Sequence, residues 1–207
     1  MIGRYLLRQF AQPHGKLGVF FAGLMNRGNA VINAHAVEAL RIRDGDRVLD
    51  VGFGGAATLE KLLREGRVSF AGGVDPSPEV VRAAEARLAP WIADGRLEVR
   101  LGTAEAIPWP EASFDRVLSV NSIYYWSDPL QGARELYRVL RPGGAAVLAL
   151  RDKAAIDKMG IERFGYRALG EVEVTKLLEQ AGFSAVESSS REDKVRGGVV
   201  LVRAVTS

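Results

Sequence analysis

The chain has 207 residues, 47% of them hydrophobic and 26% charged, with 23 glycines and a formal net charge of +3. That length and balance describe one compact globular unit able to bury a core without staples, and exclude a disordered, fibrous or collagen-like chain. The absence of cysteine excludes disulfides, thiolate metal ligands and a cysteine nucleophile, while two histidines, His14 and His35, are too few for a histidine-rich metal site.

The N-terminal stretch is locally basic: residues 1–35 carry Arg4, Arg8, Lys16 and Arg27 and no acid. Such a segment could face an anionic lipid surface, nucleic acid or an acidic substrate, or form a solvated helix face. Leu17, Phe20, Phe21 and Leu24 recur at helical spacing, so residues 1–46 are expected to form two or three short helices. These helices either cap the open end of the following sheet, as an N-terminal lid over residues 1–46, or cover one sheet face. The longest uncharged apolar stretch here, Leu17–Asn26, is too short to span a bilayer, and no signal-peptide pattern opens the chain. A cytoplasmic protein is expected.

From Arg47 onward, short β-rich runs alternate with helical runs, the pattern of an open α/β sheet with crossover helices. Strands are expected at Arg47–Val51, Val68–Val74, Arg96–Leu101, Phe114–Val120 and Ala145–Leu150. Helices are expected over Thr58–Arg64, Pro78–Leu88 and Leu130–Leu140, the last stopped by Arg141-Pro142-Gly143-Gly144. A further helix, Val172–Ala181, precedes two strands, Phe183–Ser190 and Val199–Val205. Their connection is too short for a crossover helix, so they should be antiparallel neighbours. The expected fold is therefore Rossmann-like α/β: a seven-stranded, mostly parallel sheet with an antiparallel C-terminal hairpin, over residues 47–207.

The first strand ends in Val48-Leu49-Asp50-Val51 and the chain then turns through Gly52-Phe53-Gly54-Gly55 into a helix. Glycine is needed where backbone turns with positive φ or presses against a ligand. Gly52-x-Gly54-x-x-Ala57 also satisfies the dinucleotide fingerprint, so the glycines alone leave NAD open. Asp50 weighs against it: a carboxylate aimed at that loop repels a pyrophosphate and suits an ammonium or sulfonium, although it could also cap the turn. Asp75, at the tip of the second strand, could accept ribose hydroxyls or cap the helix that follows.

Four ordered segments resemble the class I S-adenosylmethionine-dependent methyltransferases, in the small ubiquinone/menaquinone-biosynthesis-like (methyltransferase type 11) branch. They are Val48–Gly55, Gly73-Val74-Asp75-Pro76-Ser77, Gly102–Asp115, and Glu135–Gly144 with its Arg141-Pro142-Gly143-Gly144 end. The resemblance implies S-adenosylmethionine as cofactor and S-adenosylhomocysteine as product. It puts Asp50 and the Gly52-Phe53-Gly54 backbone on the methionyl end, and Asp75, beside Pro76, on the ribose. The loop after the third strand should receive the adenine. There the family usually has an acid where this chain has Thr103, so the Thr103 hydroxyl, the Ala104 backbone or Glu105 would make that contact. The family's frequent loop glycine is replaced by Ala56.

The fourth strand ends in Val120-Asn121-Ser122-Ile123-Tyr124-Tyr125-Trp126. In this fold the donor methyl lies near that end, making Asn121 and Tyr124 candidates to face the reacting centre, though aromatics there also serve packing. His14, in the basic segment, could act as a base near neutral pH. The resulting expectation is methyl transfer to a small-molecule acceptor, with hydrophobic, lipid- or quinone-like molecules among those the basic, apolar N-terminus would admit. An NAD(P)-dependent oxidoreductase and a non-catalytic S-adenosylmethionine-binding protein are the competing readings. No nucleic-acid partner is expected, peripheral membrane contact is compatible with the N-terminus, and the chain would be a monomer or homodimer.

Overall fold

A computed structural model describes residues 28–164, 166–193 and 197–207. The expected helices before residue 28, and with them His14, lie outside the described residues. The first described helix is α1, Ala30–Leu40, which buries Ile32, Ala36 and Leu40 at four-residue spacing and ends on Arg41 in the left-handed conformation at φ 52°. It lies against the strands at the middle of the sheet, so this part of the expected cap covers a sheet face.

The core alternation follows in order: β1 (Arg47–Val51), α2 (Ala57–Glu65), β2 (Phe70–Asp75), α3 (Pro78–Arg87), α4 (Ala89–Ala93), β3 (Leu97–Leu101) and β4 (Phe114–Val120). It continues through α5 (Pro129–Val139), β5 (Leu140–Arg151), α6 (Lys153–Met159), α7 (Glu171–Gln180), β6 (Ser184–Asp193) and β7 (Gly197–Val205). The strands form one seven-stranded sheet in the order β3-β2-β1-β4-β5-β7-β6. β1 pairs in parallel with both β2 and β4, while β7 runs antiparallel between β5 and β6. This is the expected Rossmann-like architecture with a closing hairpin. Strand order reverses between β1 and β4, and ligands of open α/β sheets bind outside the carboxyl ends of strands at that reversal.

Both sheet faces are covered, which is why the central strands read as nearly continuous apolar runs. Val48, Leu118 and Val147 point into one layer with Ile32, Leu59 and Val81 from α1, α2 and α3. Leu49, Val117 and Leu148 point into the other with Leu136 and Leu178 from α5 and α7. No helix of the described residues is long and apolar enough to cross a membrane.

Three details differ from the sequence expectation. Leu140 begins β5 directly after α5, so Arg141–Gly144 is not a loop between helix and strand but the irregular start of β5, with Gly143 at φ 72° and a register shift against β4. The hairpin connection is shorter than the residues between Ser190 and Val199, because Arg191, Glu192 and Asp193 pair with Val199, Gly198 and Gly197. Charged residues conceal an edge strand, where such side chains are tolerated. Finally, α4 and α6 were not expected. Asp152 caps α6 by accepting the Ala155 N–H at 2.7 Å, and Gly160 ends it at φ 62°.

Candidate functional site

The carboxyl ends of β1, β2 and β4 converge at the strand-order reversal. β1 delivers Asp50, which is 4% exposed, into the layer shared with α1 and α2. Among the described residues no hydrogen bond reaches its carboxylate. Burial, reinforced by the charge of Asp75, pushes the Asp50 pKa up to about 7. A buried acid with no donor calls for an external cation.

The chain then turns through Gly52 at φ 76° and Gly54 at φ 52°, conformations that L side chains rarely adopt. The Gly52 N–H donates to the Val74 carbonyl at 2.8 Å, fixing the loop to the tip of β2. A Cβ on Gly52 would lie 2.7 Å from Ser122 Cβ, so β4 closes on that side, whereas a Cβ on Gly54 would meet nothing within 4 Å. The loop is thus packed beneath and open above at Gly54. Ala56 precedes α2 at φ 55°, a buried alanine in the left-handed region. Phe53 is buried among Gly73, Leu59 and Val99, so only its main chain faces the loop's open side.

Asp75 ends β2 and is 6% exposed. Its Oδ2 accepts the Gly54 N–H and its Oδ1 accepts the Ser77 N–H, each at 3.0 Å. Burial raises its pKa to about 6 against the lowering effect of those two donors. The helix cap here is Ser77, whose Oγ accepts the Val80 N–H at 3.3 Å, not Asp75. Pro76 is exposed beside it.

After β3, Thr103 is exposed, Ala104 is buried, and Glu105 reaches across to the segment following β4. Glu105 Oε1 accepts from Ser127 N at 2.6 Å, Ser127 Oγ at 2.9 Å and Asp128 N at 3.2 Å. Burial works against its charge, but bonds from its own backbone, Ser127, Asp128 and Thr103 prevail and hold its pKa below the usual value. The same loop is clamped from α5: Glu135 Oε2 accepts the Ile107 N–H at 2.9 Å, and Arg138 donates to the Ile107 and Trp109 carbonyls at 2.9 and 2.8 Å.

At the end of β4, Ser119 Oγ donates to the Val51 carbonyl at 2.8 Å, Ser122 Oγ sits against Ser119 Oγ, and Trp126 Nε1 donates to Ser122 Oγ at 3.1 Å. Asn121 stands between, at φ 53°, its N–H donating to the Ala149 carbonyl at 2.8 Å. The Tyr124 hydroxyl accepts the Arg151 N–H at 2.8 Å, and burial raises its pKa, so it is a neutral group anchored to β5. Tyr125 stacks edge-on against Tyr166 at 4.9 Å, with its pKa pushed up to about 12 by burial. His35 lies on α1, 3.9 Å from Glu38.

Asp50, Gly52, Gly54, Asp75 and Asn121 therefore come together at one mouth, with Thr103–Glu105 on its β3 side and Tyr124 behind it. Sequence reasoning had not singled out Ser119, Ser122, Glu135 or Arg138 as parts of this frame. Glu135 and Arg138 lie within a recognised segment, but its pattern gives no hint that they clamp the β3 loop. The arrangement fits S-adenosylmethionine on three counts: a buried acid lacking a donor among the described residues, an open glycine backbone, and a second acid with lone pairs to spare.

A family profile described as a methyltransferase domain matches residues 49–148. The uncharacterised methyltransferase YdaC of Bacillus subtilis (strain 168) is 31% identical over 134 residues, covering 64% of this chain and 71% of that protein. The ubiquinone/menaquinone biosynthesis C-methyltransferase UbiE of Geobacter sulfurreducens is 36% identical over 115 residues, but this chain spans only 45% of its length and the match covers 55% of the chain. Among solved structures, a methyltransferase in complex with the Trm112 activator of Haloferax volcanii superposes with a TM-score of 0.79 at 21% identity, covering 89% of this chain and 93% of that one.

Proposed function

Because the chain belongs to the class I S-adenosylmethionine-dependent methyltransferases of the ubiquinone/menaquinone-biosynthesis-like branch, we propose that it methylates a small, hydrophobic acceptor, lipid- or quinone-like. The observation that carries the site assignment is Asp50, a buried carboxyl with no donor among the described residues, its pKa raised to about 7, at the foot of a glycine loop. When bound, the cofactor supplies a methyl group on a positively charged sulfur. Asp50 holds the methionyl ammonium beside that charge. The Gly52 to Gly54 backbone, with the Phe53 main chain, lets the methionyl end lie against it. Asp75 takes the ribose hydroxyls on lone pairs left over from Gly54 and Ser77, with Pro76 against the sugar's edge. Thr103, the Ala104 backbone and Glu105 border the adenine.

The protein's work is then alignment and exclusion of water, since the leaving group is already activated. Asn121 faces the reacting centre from the end of β4, whereas Tyr124, expected beside it, is buried behind the mouth with its hydroxyl on the Arg151 backbone, where it fixes this segment. The hydroxyl of Tyr124 stays protonated and acts as a hydrogen-bonding group rather than a base. Of residues 1–46, α1 covers a sheet face and the stretch before it serves as a cap on the unit at 47–207, with His14 as a candidate base in it; the place of UbiE in ubiquinone/menaquinone biosynthesis favours an apolar acceptor beneath such a cap. The hydride-transfer reading has no support, because the matched family is a methyltransferase domain and a carboxylate at the foot of the glycine loop would repel a pyrophosphate.

The test is formation of S-adenosylhomocysteine from S-adenosylmethionine across a panel of quinols, phenols, amines and acyl lipids, followed by mass spectrometry of the acceptor. Methylation of an apolar member supports the proposal. Donor binding with no methylated product from any class favours the non-catalytic reading.

A further inference from the structure

The sheet face that α1 covers changes character at the end opposite Asp50 and Asn121. On β7, Val199 and Leu201 lie in the apolar layer with Ile32 of α1, and Arg203 comes next on the same face. On β4, Leu118 lies in that layer and Arg116 precedes it on the same face. Strand β5 runs between them, with Ala145 level with Arg116 and Val147 level with Arg203, so the two arginines stand about 10 Å apart across the sheet. Arg41, at the end of α1, and Arg43, in the turn that follows, are close enough for their charges to act on Arg203.

These four guanidinium groups are poorly compensated. Arg203 is partly buried, its Nε is sealed from solvent without an acceptor, and neither Arg203 nor the Arg43 side chain makes a hydrogen bond or ion pair among the described residues. Arg116 is 6% exposed; its Nη1 donates to the Asp115 carbonyl at 2.8 Å, but its Nε, 3.2 Å from Asp46 Oδ2, lacks the alignment of a hydrogen bond. Arg41 approaches Glu187 only to 3.9 Å, with both side chains more than half exposed. The neighbouring acids Asp44 and Asp115 are taken by Arg67 and Arg141, at 2.8 and 3.0 Å. Burial, then the charge of Arg41, holds the Arg203 pKa below the usual arginine value; Glu187 opposes this, and Arg116 and Arg43 add to it. Four cations set against Asp46 and Glu187 leave two positive charges over. The dipole of α1 favours cations at its carboxyl end, which accounts for Arg41 but not for Arg116 and Arg203, which project from strands. A partly buried cation without a partner costs stability, so this grouping calls for an anion.

We propose that Arg41, Arg43, Arg116 and Arg203 form a binding site for a phosphate monoester group, at the opposite end of the sheet from the cofactor mouth. The two uncompensated charges match the charge of a phosphate monoester, which approaches −2 above neutral pH. All four cations are arginine, whose planar fork pairs with two oxygens of a tetrahedral oxyanion at once, and Ala145 and Val147 between the strands bring no competing acceptor side chain. The group is carried by a soluble phosphate ester or by a lipid headgroup, which present the same oxyanion. The site goes beyond the methyl-transfer reading and does not depend on it.

Calorimetric titration of the full chain with inorganic phosphate at pH 8, at constant ionic strength, tests it. The wild type should bind with a Kd of about 1 mM or tighter. Arg203→Met keeps an apolar stem and removes the charge, and should weaken binding about tenfold or more. Because the unliganded variant no longer holds a cation without a partner, its melting temperature should rise by a few degrees, which also shows that it folds. Arg134→Met removes an exposed charge from α5, on the other sheet face, and should leave the Kd within about twofold. Vesicles of phosphatidylcholine with about one-fifth phosphatidic acid identify the source. Retention on them that Arg203→Met abolishes and Arg134→Met keeps assigns the group to a lipid, whereas free phosphate bound without retention assigns it to a soluble ester. No saturable phosphate binding by the wild type, or equal weakening in the two variants, overturns the proposal.

Discussion

The Gly54 N–H lies 3.0 Å from Oδ2 of Asp75, joining the loop after β1 to the last residue of β2. This one bond shapes the site. It orients the glycine backbone from below, and the Ser77 N–H does the same for the other carboxylate oxygen. A carboxylate offers about four acceptor sites, so lone pairs remain on both oxygens for a diol.

Asp50 and Asp75 make the protein's stability depend on pH in a defined direction. Both have folded-state pKa values, about 7 and about 6, above the ordinary aspartate range. The fold therefore retains protons that the unfolded chain releases. The stabilisation from the protonated acids is complete below about pH 4 and is lost as pH rises through 6 and 7. Asp50→Asn should raise unfolding free energy at pH 8 by about 2–4 kcal/mol and flatten its pH dependence between 4 and 7. Urea denaturation at pH 5 and pH 8 checks this. The same variant should lose cofactor affinity, so a gain in stability accompanied by undiminished binding would contradict the role given to Asp50.

Gly52 is constrained twice, by φ 76° and by Ser122 Cβ, 2.7 Å from where its own Cβ would stand. Gly52→Ala should cost about 2–4 kcal/mol in stability. Adding Ser122→Gly should recover the steric part and leave the conformational part. Thermal melts of the two variants separate them.

Glu105 is a brace before it is a ligand contact. Glu105→Ala leaves the Ser127 and Asp128 N–H groups without their carboxylate, which should cost about 1 kcal/mol. Loosening of the 103–106 loop should also show as a several-fold rise in the Kd for S-adenosylhomocysteine. Because its pKa is held low, this contribution is present above the usual glutamate value and lost as pH falls below that value through the lowered folded-state pKa.

Gly132 sits inside α5, where helix propensity alone favours alanine by about 1 kcal/mol. A Cβ there would lie 2.5 Å from Trp126 Cε3, and that indole is anchored to Ser122. Gly132→Ala should therefore destabilise, by about 1–3 kcal/mol, and disturb the end of β4. A raised melting temperature would show that Trp126 is free to move.

Why the sequence revealed some of this and hid the rest follows from how each feature is made. Parallel strands buried on both faces announce themselves as apolar runs, so β1 and β4 were legible to the residue. The turn through Gly52 and Gly54 after the buried Asp50 was legible because a tight left-handed turn at a strand end needs glycine there. The hydrogen bond from Asn121 Nδ2 to Asn29 Oδ1 was not, because Asn29 before a helix looks like an ordinary cap and its partner is 92 residues away. The ends of β6 and β7 were hidden too, since Arg191-Glu192-Asp193 pair by backbone while their side chains resemble a loop. Glu135 and Arg138 sit in a recognisable segment, but their grip on residues 107–109 depends on how α5 docks.

The central claim is that the mouth between β1, β2 and β4 holds S-adenosylmethionine through Asp50, the glycine loop and Asp75. Calorimetric titration of S-adenosylhomocysteine into wild type and Asp75→Ala, with melting temperatures measured alongside, tests it most directly. Loss of a charged acceptor for two hydroxyls should weaken binding by about 10- to 100-fold, while the melting temperature stays within a few degrees. Equal affinity in the two proteins would contradict the account.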